Sequence, residues 1–284
     1  YTLKLRVAAV FILLTTSTIG ILAPIFLRNF KKVASDGLVF TIFKQFGTGV
    51  IISTVFIHLL MHAVLQFLNP CVGEMEYEGT VMAIAMGGAF FSFLVDYAGV
   101  QYLRRYRKHQ DSRPQNESHD RQRMDEEKLS VFIMEGGIIF HSILVGVLLA
   151  VTPDTELPTI FAVVLIHQLF EGIALGARIA PLENVANRKK ILMAIAFSVT
   201  APLGMAIGIG VRKSFNSNDK STIVTLGTMD ALSAGVLAWV AFVELWSKDW
   251  LHGEMRDAPA KKQIVGMISL VLGIAIMSFL GKWA

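Results

Sequence analysis

The chain has 284 residues, of which 54% are hydrophobic and only 17% charged, and its mean hydropathy is +0.56. Soluble domains carry about a quarter charged residues, so this composition excludes an ordinary soluble domain and points to a protein that crosses a membrane repeatedly. The net charge of +4 sits on loop flanks, which argues against a nucleic-acid partner, and the single cysteine, Cys71, excludes an internal disulfide framework or a thiolate metal cluster.

A helix needs about 20 apolar residues to cross the hydrocarbon core. Eight such runs succeed one another, near 6–27, 43–67, 81–103, 130–152, 158–180, 189–212, 224–246 and 263–283. They are continuous, whereas barrel strands would be shorter and alternating. The expected fold is therefore an all-α membrane protein of eight helices. The first run is long enough to span, so it does not read as a secretory signal. The start at Tyr1 reads as a trimmed N-terminus.

The runs divide into helices 1–3 within 1–103, helices 4 and 5 within 129–180, and helices 6–8 within 181–284. Between the first two groups, residues 107–125 read RKHQDSRPQNESHDRQRMD. With almost no apolar content, segment 104–128 is expected to be a disordered cytosolic loop. Its His109 and His119 read as solvated groups or transient metal contacts. Twenty of the 26 Lys and Arg residues fall in the breaks at 28–44, 104–128, 178–190 and 248–262. Positive charge marks the cytosolic side, so both termini are expected outside. The outward side then carries Glu74, Glu76 and Glu78, and also Asp154 and Glu156.

Two internal echoes stand out. FGTGVIISTVFIHLL at 46–60 aligns with LSAGVLAWVAFVELW at 232–246. Gly49, Val50, Phe56 and Leu59 fall on Gly235, Val236, Phe242 and Leu245, and His58 falls on Glu244. The first run points outward and the second inward, so the repeat is inverted, a pattern found in transporters. It places His58 in the outer half and Glu244 in the inner half of a path. His62, Asp96 and Asp230, inside or at the ends of spans, are further path candidates. The second echo is His-x4-Gly-x2-Leu, starting at His141 in run 4 and at His167 in run 5. At 1.5 Å per residue both histidines lie roughly 14–18 Å deep, so they meet near the midplane from opposite sides.

His167 and Glu171 are one turn apart and share a helix face. A charged carboxylate at the bilayer centre costs at least about 2.5–3.5 kcal/mol on insertion scales, so it needs a partner or a wet path. A divalent cation also uses neutral imidazoles; two histidines and a carboxylate suit Zn²⁺ or Fe²⁺. Ser142 and Gln168, each beside a histidine, are candidates to add oxygen ligands or to orient them. Gly146, Gly172 and Gly176 allow close helix approach. Glu135 falls on a different face and is left out of the core site.

HQLFEGIALGARIA, preceded along the chain by FHSILVG, resembles the paired motifs on helices 4 and 5 of the ZIP family of zinc and iron transporters. GVIISTVFIHLL, FSVTAPLGMAIGIG, DALSAGVLAWVAFVELW and LVLGIAIMSFLGKWA are similar to its fungal and plant branch. The resemblance spans essentially the whole chain apart from 104–128. It implies eight helices arranged as three, two and three, both termini outside, and uptake of divalent metal through a site between helices 4 and 5. By position His141, His167 and Glu171 match the main site. Ser142 and Gln168 match positions that are Asn or Asp in the binuclear, prokaryote-like branch. Val145 and Ala201 stand where that branch has glutamates, so one principal ion is expected. The 104–128 segment lacks the family's dense HxHxH tract.

The expected activity is zinc or iron uptake by alternating access, with metal as cargo and no cofactor. Mn²⁺ and Cd²⁺ fit the same donors. No Walker A loop is present. The rivals are a membrane metal sensor and an intramembrane zinc hydrolase, although the order here is H-x-x-x-E rather than H-E-x-x-H. Expected partners are divalent metal ions, the lipid bilayer and a second copy in a homodimer, at the plasma membrane.

Overall fold

The computed structural model describes the chain apart from residues 30–33, 35–36, 109–114, 183–184, 213–215, 217 and 284; for 29, 104, 106–108 and 115–127 it describes the backbone alone. Eight long helices form: α1 (Leu3–Asn29), α2 (Leu38–Phe67), α3 (Thr80–Lys108), α4 (Gln115–Val151), α5 (Leu157–Ile179), α6 (Asn187–Val211), α7 (Lys220–Leu251) and α8 (Ala260–Leu280). Each has a stretch long and apolar enough to cross a membrane, and among the described residues there is no strand. Their starts reflect local chemistry. Pro158 occupies the first turn of α5, where its missing N–H costs nothing. The Asp219 carboxylate accepts from the Thr222 N–H and caps α7. The Ser221 hydroxyl and that N–H hold this carboxyl below its usual range.

The segment 104–128 departs from the expected disordered loop. α3 continues to Lys108 and α4 begins at Gln115, so the backbone is helical on both sides of 109–114. Gln, Glu, Arg, Lys and Met are strong helix formers, and an adjoining membrane helix removes the cost of nucleation. His109 lies outside the described residues; the backbone at His119 is helical.

The helices pack in two groups. α1 lies against α5 and α6, and α4 against α6; α8 lies against α2, and α3 against α7. Exchanging α1 with α6, α2 with α7, α3 with α8 and α4 with α5 maps this set of pairs onto itself, with α1–α6 going to itself and each other pair to a different one. This is the inverted repeat expressed as packing. Glycines make the closest approaches. A Cβ on Gly49 would run into the Leu270 carbonyl of α8, and one on Gly235, its counterpart in the echo, into the Ala85 carbonyl of α3. Gly146 and Gly172 match in the same way, against α6 and α1. Without a hydrophobic drive between helices in lipid, such contacts supply the packing.

The echo extends to the backbone. α2 is π-helical over Thr54–Leu60 and α7 over Val240–Ser247, matching stretches in the 46–60 and 232–246 alignment. A π-bulge adds a residue to a turn and so re-aims the side chains beyond it. His58 and Glu244 both sit inside these segments.

A buried arginine clasps the end of α1 to the turn between α4 and α5. Arg6 donates to the Ala150 carbonyl at 2.9 Å, to the Thr152 carbonyl and to the Asp154 carboxylate. Its guanidinium holds Asp154 well below the usual carboxylate range.

Gly49→Val should destabilise the fold by about 1–3 kcal/mol, read as a lower melting temperature in detergent, whereas Gly210→Ala, with open space around the added methyl, should melt like wild type. The Asp154 contribution has a definite sign. A carboxylate whose pKa is depressed on folding stabilises fully above its unfolded value, about pH 4, and loses that contribution as pH falls below it. The melting difference between wild type and Asp154→Asn should therefore be full at pH 7 and shrink as the pH is lowered toward 2.

Candidate metal centre

α5 runs without interruption through HQLFEG because its glycines face α1, at Gly20 and Ile21, and leave the other side for polar groups. His167 and Glu171 project from that side, both buried. Glu171 Oε1 lies 3.1 Å from His167 Nε2. The contact lacks hydrogen-bonding geometry, so neither Glu171 oxygen has a hydrogen-bond partner. From α4, His141 brings its Nε2 to 3.4 Å from His167 Nε2. His141 Nδ1 is likewise buried without a partner.

A third histidine completes the cluster. His58, from the π-segment of α2, has its ring centroid 5.1 Å from that of His167 and 5.5 Å from that of His141. One nitrogen from each of the three rings lies within 4.8 Å of the others. Two zinc–nitrogen bonds of about 2.0–2.1 Å at a tetrahedral angle set the nitrogens about 3.3–3.4 Å apart. The His141–His167 pair already has that spacing. Three imidazoles and, beside them, a carboxylate with open lone pairs, all within apolar helices, are donors that could hold a cation.

The structure thus moves His58 from the outer path into the cluster itself. The sequence located its depth; it could not show that the π-turn swings it toward α4 and α5. Ser142 and Gln168 meet each other, with Gln168 Nε2 3.5 Å from Ser142 Oγ. They pair across α4 and α5 beside the histidines. Glu135 is buried but lies outside the cluster.

On one side of the cluster, His62 stacks 6.5 Å from His58 and its Nδ1 lies 2.7 Å from the Asp230 carboxylate of α7. A cavity of about 10 Å³, the size of one water, touches His58 and His167 along with Ser53 and Thr54. On the other side, Glu244 is buried in α7, accepts from the Ser130 hydroxyl and lies 3.3 Å from Lys248 Nζ. Asp96 of α3 faces Glu244. A cavity of about 280 Å³ opens here, lined by Ser130, Glu244, Lys248, Arg178 and Asp249 among others. Arg178 stands two turns beyond Glu171 on α5. It holds Asp249 with two bonds of 2.8 and 2.7 Å and Thr48 at 2.9 Å, tying α5 to α7 and α2. Of the residues expected from sequence to line a path, His62 pairs with Asp230 and Asp96 faces Glu244, on opposite sides of the histidines. Sequence reading missed Ser130, Arg178, Lys248 and Asp249. The basic ones carried only a topological signal, as charges at span ends.

A family model described as ZIP Zinc transporter matches residues 3–128 and 97–281. The chain belongs to the ZIP zinc transporter family. Among similar proteins, "Zinc-regulated transporter 1" of Candida albicans is 43% identical over 290 residues; the alignment takes in 100% of this chain and 62% of that protein's own length. "Fe(2+) transport protein 1" of Arabidopsis thaliana is 30% identical over 301 residues, covering 99% of this chain and 86% of the relative. "Zinc-regulated transporter 1" of Saccharomyces cerevisiae is 29% identical over 328 residues, covering 98% and 87%. This ZIP chain is thus a multi-pass membrane protein, and its ZIP-like motifs carry His167, Glu171 and His141.

If His58 is a ligand, His58→Ala should weaken zinc binding on the order of 100-fold, about 2.7 kcal/mol, in chelator competition on purified protein. Gln168→Ala should cost less, about 10-fold, the lower range for an outer-shell partner.

Proposed function

We propose that this ZIP protein carries divalent metal, zinc first, across the membrane toward the cytosol by alternating access. The observation that carries the reading is the buried cluster of His58, His141, His167 and Glu171. Its carboxylate lacks a hydrogen-bond partner, and it sits where α5 and α4 of one helix group meet α2 of the other. Bound there, a cation satisfies the orphaned oxygens and is shared by both groups, so relative movement of the groups changes which side it can leave by.

The steps follow from the residues. The acidic outer loop and the His62–Asp230 pair collect the hydrated ion. The ion sheds water as the imidazoles and Glu171 take its place, with Ser142 and Gln168 beside them. It leaves past Glu244 and Asp96 into the wider cavity on the basic side. The distribution of Lys and Arg supports reading that side as cytosolic and both termini as outside. The plasma membrane and a homodimer are the assignments that accord with the branch resemblance. Zinc and iron both appear in the names of the relatives, and mixed nitrogen and oxygen donors accept Fe²⁺, Mn²⁺ and Cd²⁺ as well. A hydrolase is disfavoured by the lack of a glutamate beside a histidine pair in H-E-x-x-H order. A sensor without flux would need no second station on the far side.

Purified protein in liposomes should take up Zn²⁺ saturably, Glu171→Ala should abolish uptake, and Fe²⁺ added in competition should rank the two metals. Tight zinc binding by folded protein without uptake would favour the sensor. Because bound metal displaces protons from its ligands, uptake should fall as the outside pH is lowered from about 8 to 5, the range in which histidine titrates. A flat profile would contradict ligation by the histidines.

A further inference from the structure

Glu244 of α7 lines the inner cavity, and Asp96 of α3 faces it, so two carboxylates stand together there. Two negative charges balance one divalent ion, and a hydroxyl, Ser130 Oγ, stands beside them. Left alone, such a station would hold the ion it is meant to pass on. It is not left alone. Lys248, one turn beyond Glu244 on the same helix, places its ammonium 3.3 Å from Glu244 Oε2 and 2.8 Å from Ser130 Oγ. The lysine side chain is 31% exposed and the glutamate 9%, so the ammonium lies on the open side of the pair and the carboxylate on the buried side.

We propose that Lys248 is a tethered competitor for the exit carboxylates: its ammonium occupies the cation position on Glu244, yields it to the arriving metal and reclaims it as the metal leaves. This rests on the transport reading above. The chemistry is an exchange of cations with no bond made or broken in the chain. An ammonium is a compact, flexible point charge with three donors, suited to swinging aside and returning. Replacing the departing ion by Lys248 spares Glu244 and Asp96 from facing each other bare, which would be costly in a partly dry site. The same ammonium lowers the net charge that the ion meets, so the ion binds more weakly and is released sooner. Ser130 gives Lys248 and Glu244 a common anchor on α4.

The test compares wild type with Lys248→Met, Lys248→Arg and the double change Lys248→Met with Glu244→Gln, using Zn²⁺ alone. Equilibrium dialysis on purified protein counts tightly held zinc; liposome uptake gives turnover. Lys248→Met should hold one more zinc per chain and turn over about tenfold more slowly, an order-of-magnitude expectation for removing one nearby charge. Lys248→Arg should behave like wild type. Adding Glu244→Gln should remove the extra zinc. If Lys248→Met holds no extra zinc, or slows turnover without retaining metal, Lys248 is a strut between α7 and α4 and the proposal is overturned. If wild type shows no uptake at all, transport itself fails, while the dialysis count still decides the effect of Lys248 on binding.

Discussion

Glu171 lies buried among apolar helices with neither oxygen hydrogen-bonded, and much of the architecture is organised by that one expensive group. A bare carboxylate at such a place is sustained only by a cation or by histidines that share one. His167 stands one turn away, His141 arrives from α4 and His58 from α2. Three separate helices are thereby committed to one point. The features that let them converge, from the glycines on α5 to the π-turn in α2, serve that commitment.

Close convergence has a packing requirement. Helices in lipid gain little from apolar burial against each other, so they must approach until backbones touch. Gly172 and Gly176 bring α5 onto α1, Gly146 and Gly204 bring α4 onto α6, and Gly49 and Gly273 bring α2 onto α8. Each pair belongs to one of the two packing groups, and the histidine cluster lies between the groups. Gly47 makes a similar approach between the groups, against Ala174 of α5, and polar contacts join the groups beside it. On the basic side those contacts are the Arg178–Asp249 ion pair between α5 and α7, and the hydrogen bonds that tie Ser130 of α4 to Glu244 and Lys248 of α7.

The inverted repeat relates a residue of the cluster to a residue of the inner cavity. α2 and α7 each carry a π-segment at the matching place, and each presents a polar residue there, His58 in one and Glu244 in the other. The symmetry is structural and the chemistry is not. One end offers imidazoles, which suit a borderline cation, and the other offers carboxylates shared with a lysine.

The number of spans and the common depth of His141, His167 and Glu171 were legible in the chain alone, because hydrophobic length and the rise per residue are local quantities. His167 and Glu171 share a face by periodicity, and the ZIP-like HQxFEG element marked them as candidate ligands. Three things required the folded chain. His58 enters the cluster through a change of helical pitch that apolar side chains do not announce. Ser142 and Gln168 turn to each other across two helices. Lys248, Arg178 and Asp249, read along the chain as charges flanking a membrane span, acquire roles only when helices far apart in sequence bring a carboxylate, a hydroxyl or a guanidinium to meet them. Periodicity decides which face a residue takes; which groups face it is decided by how the helices cross.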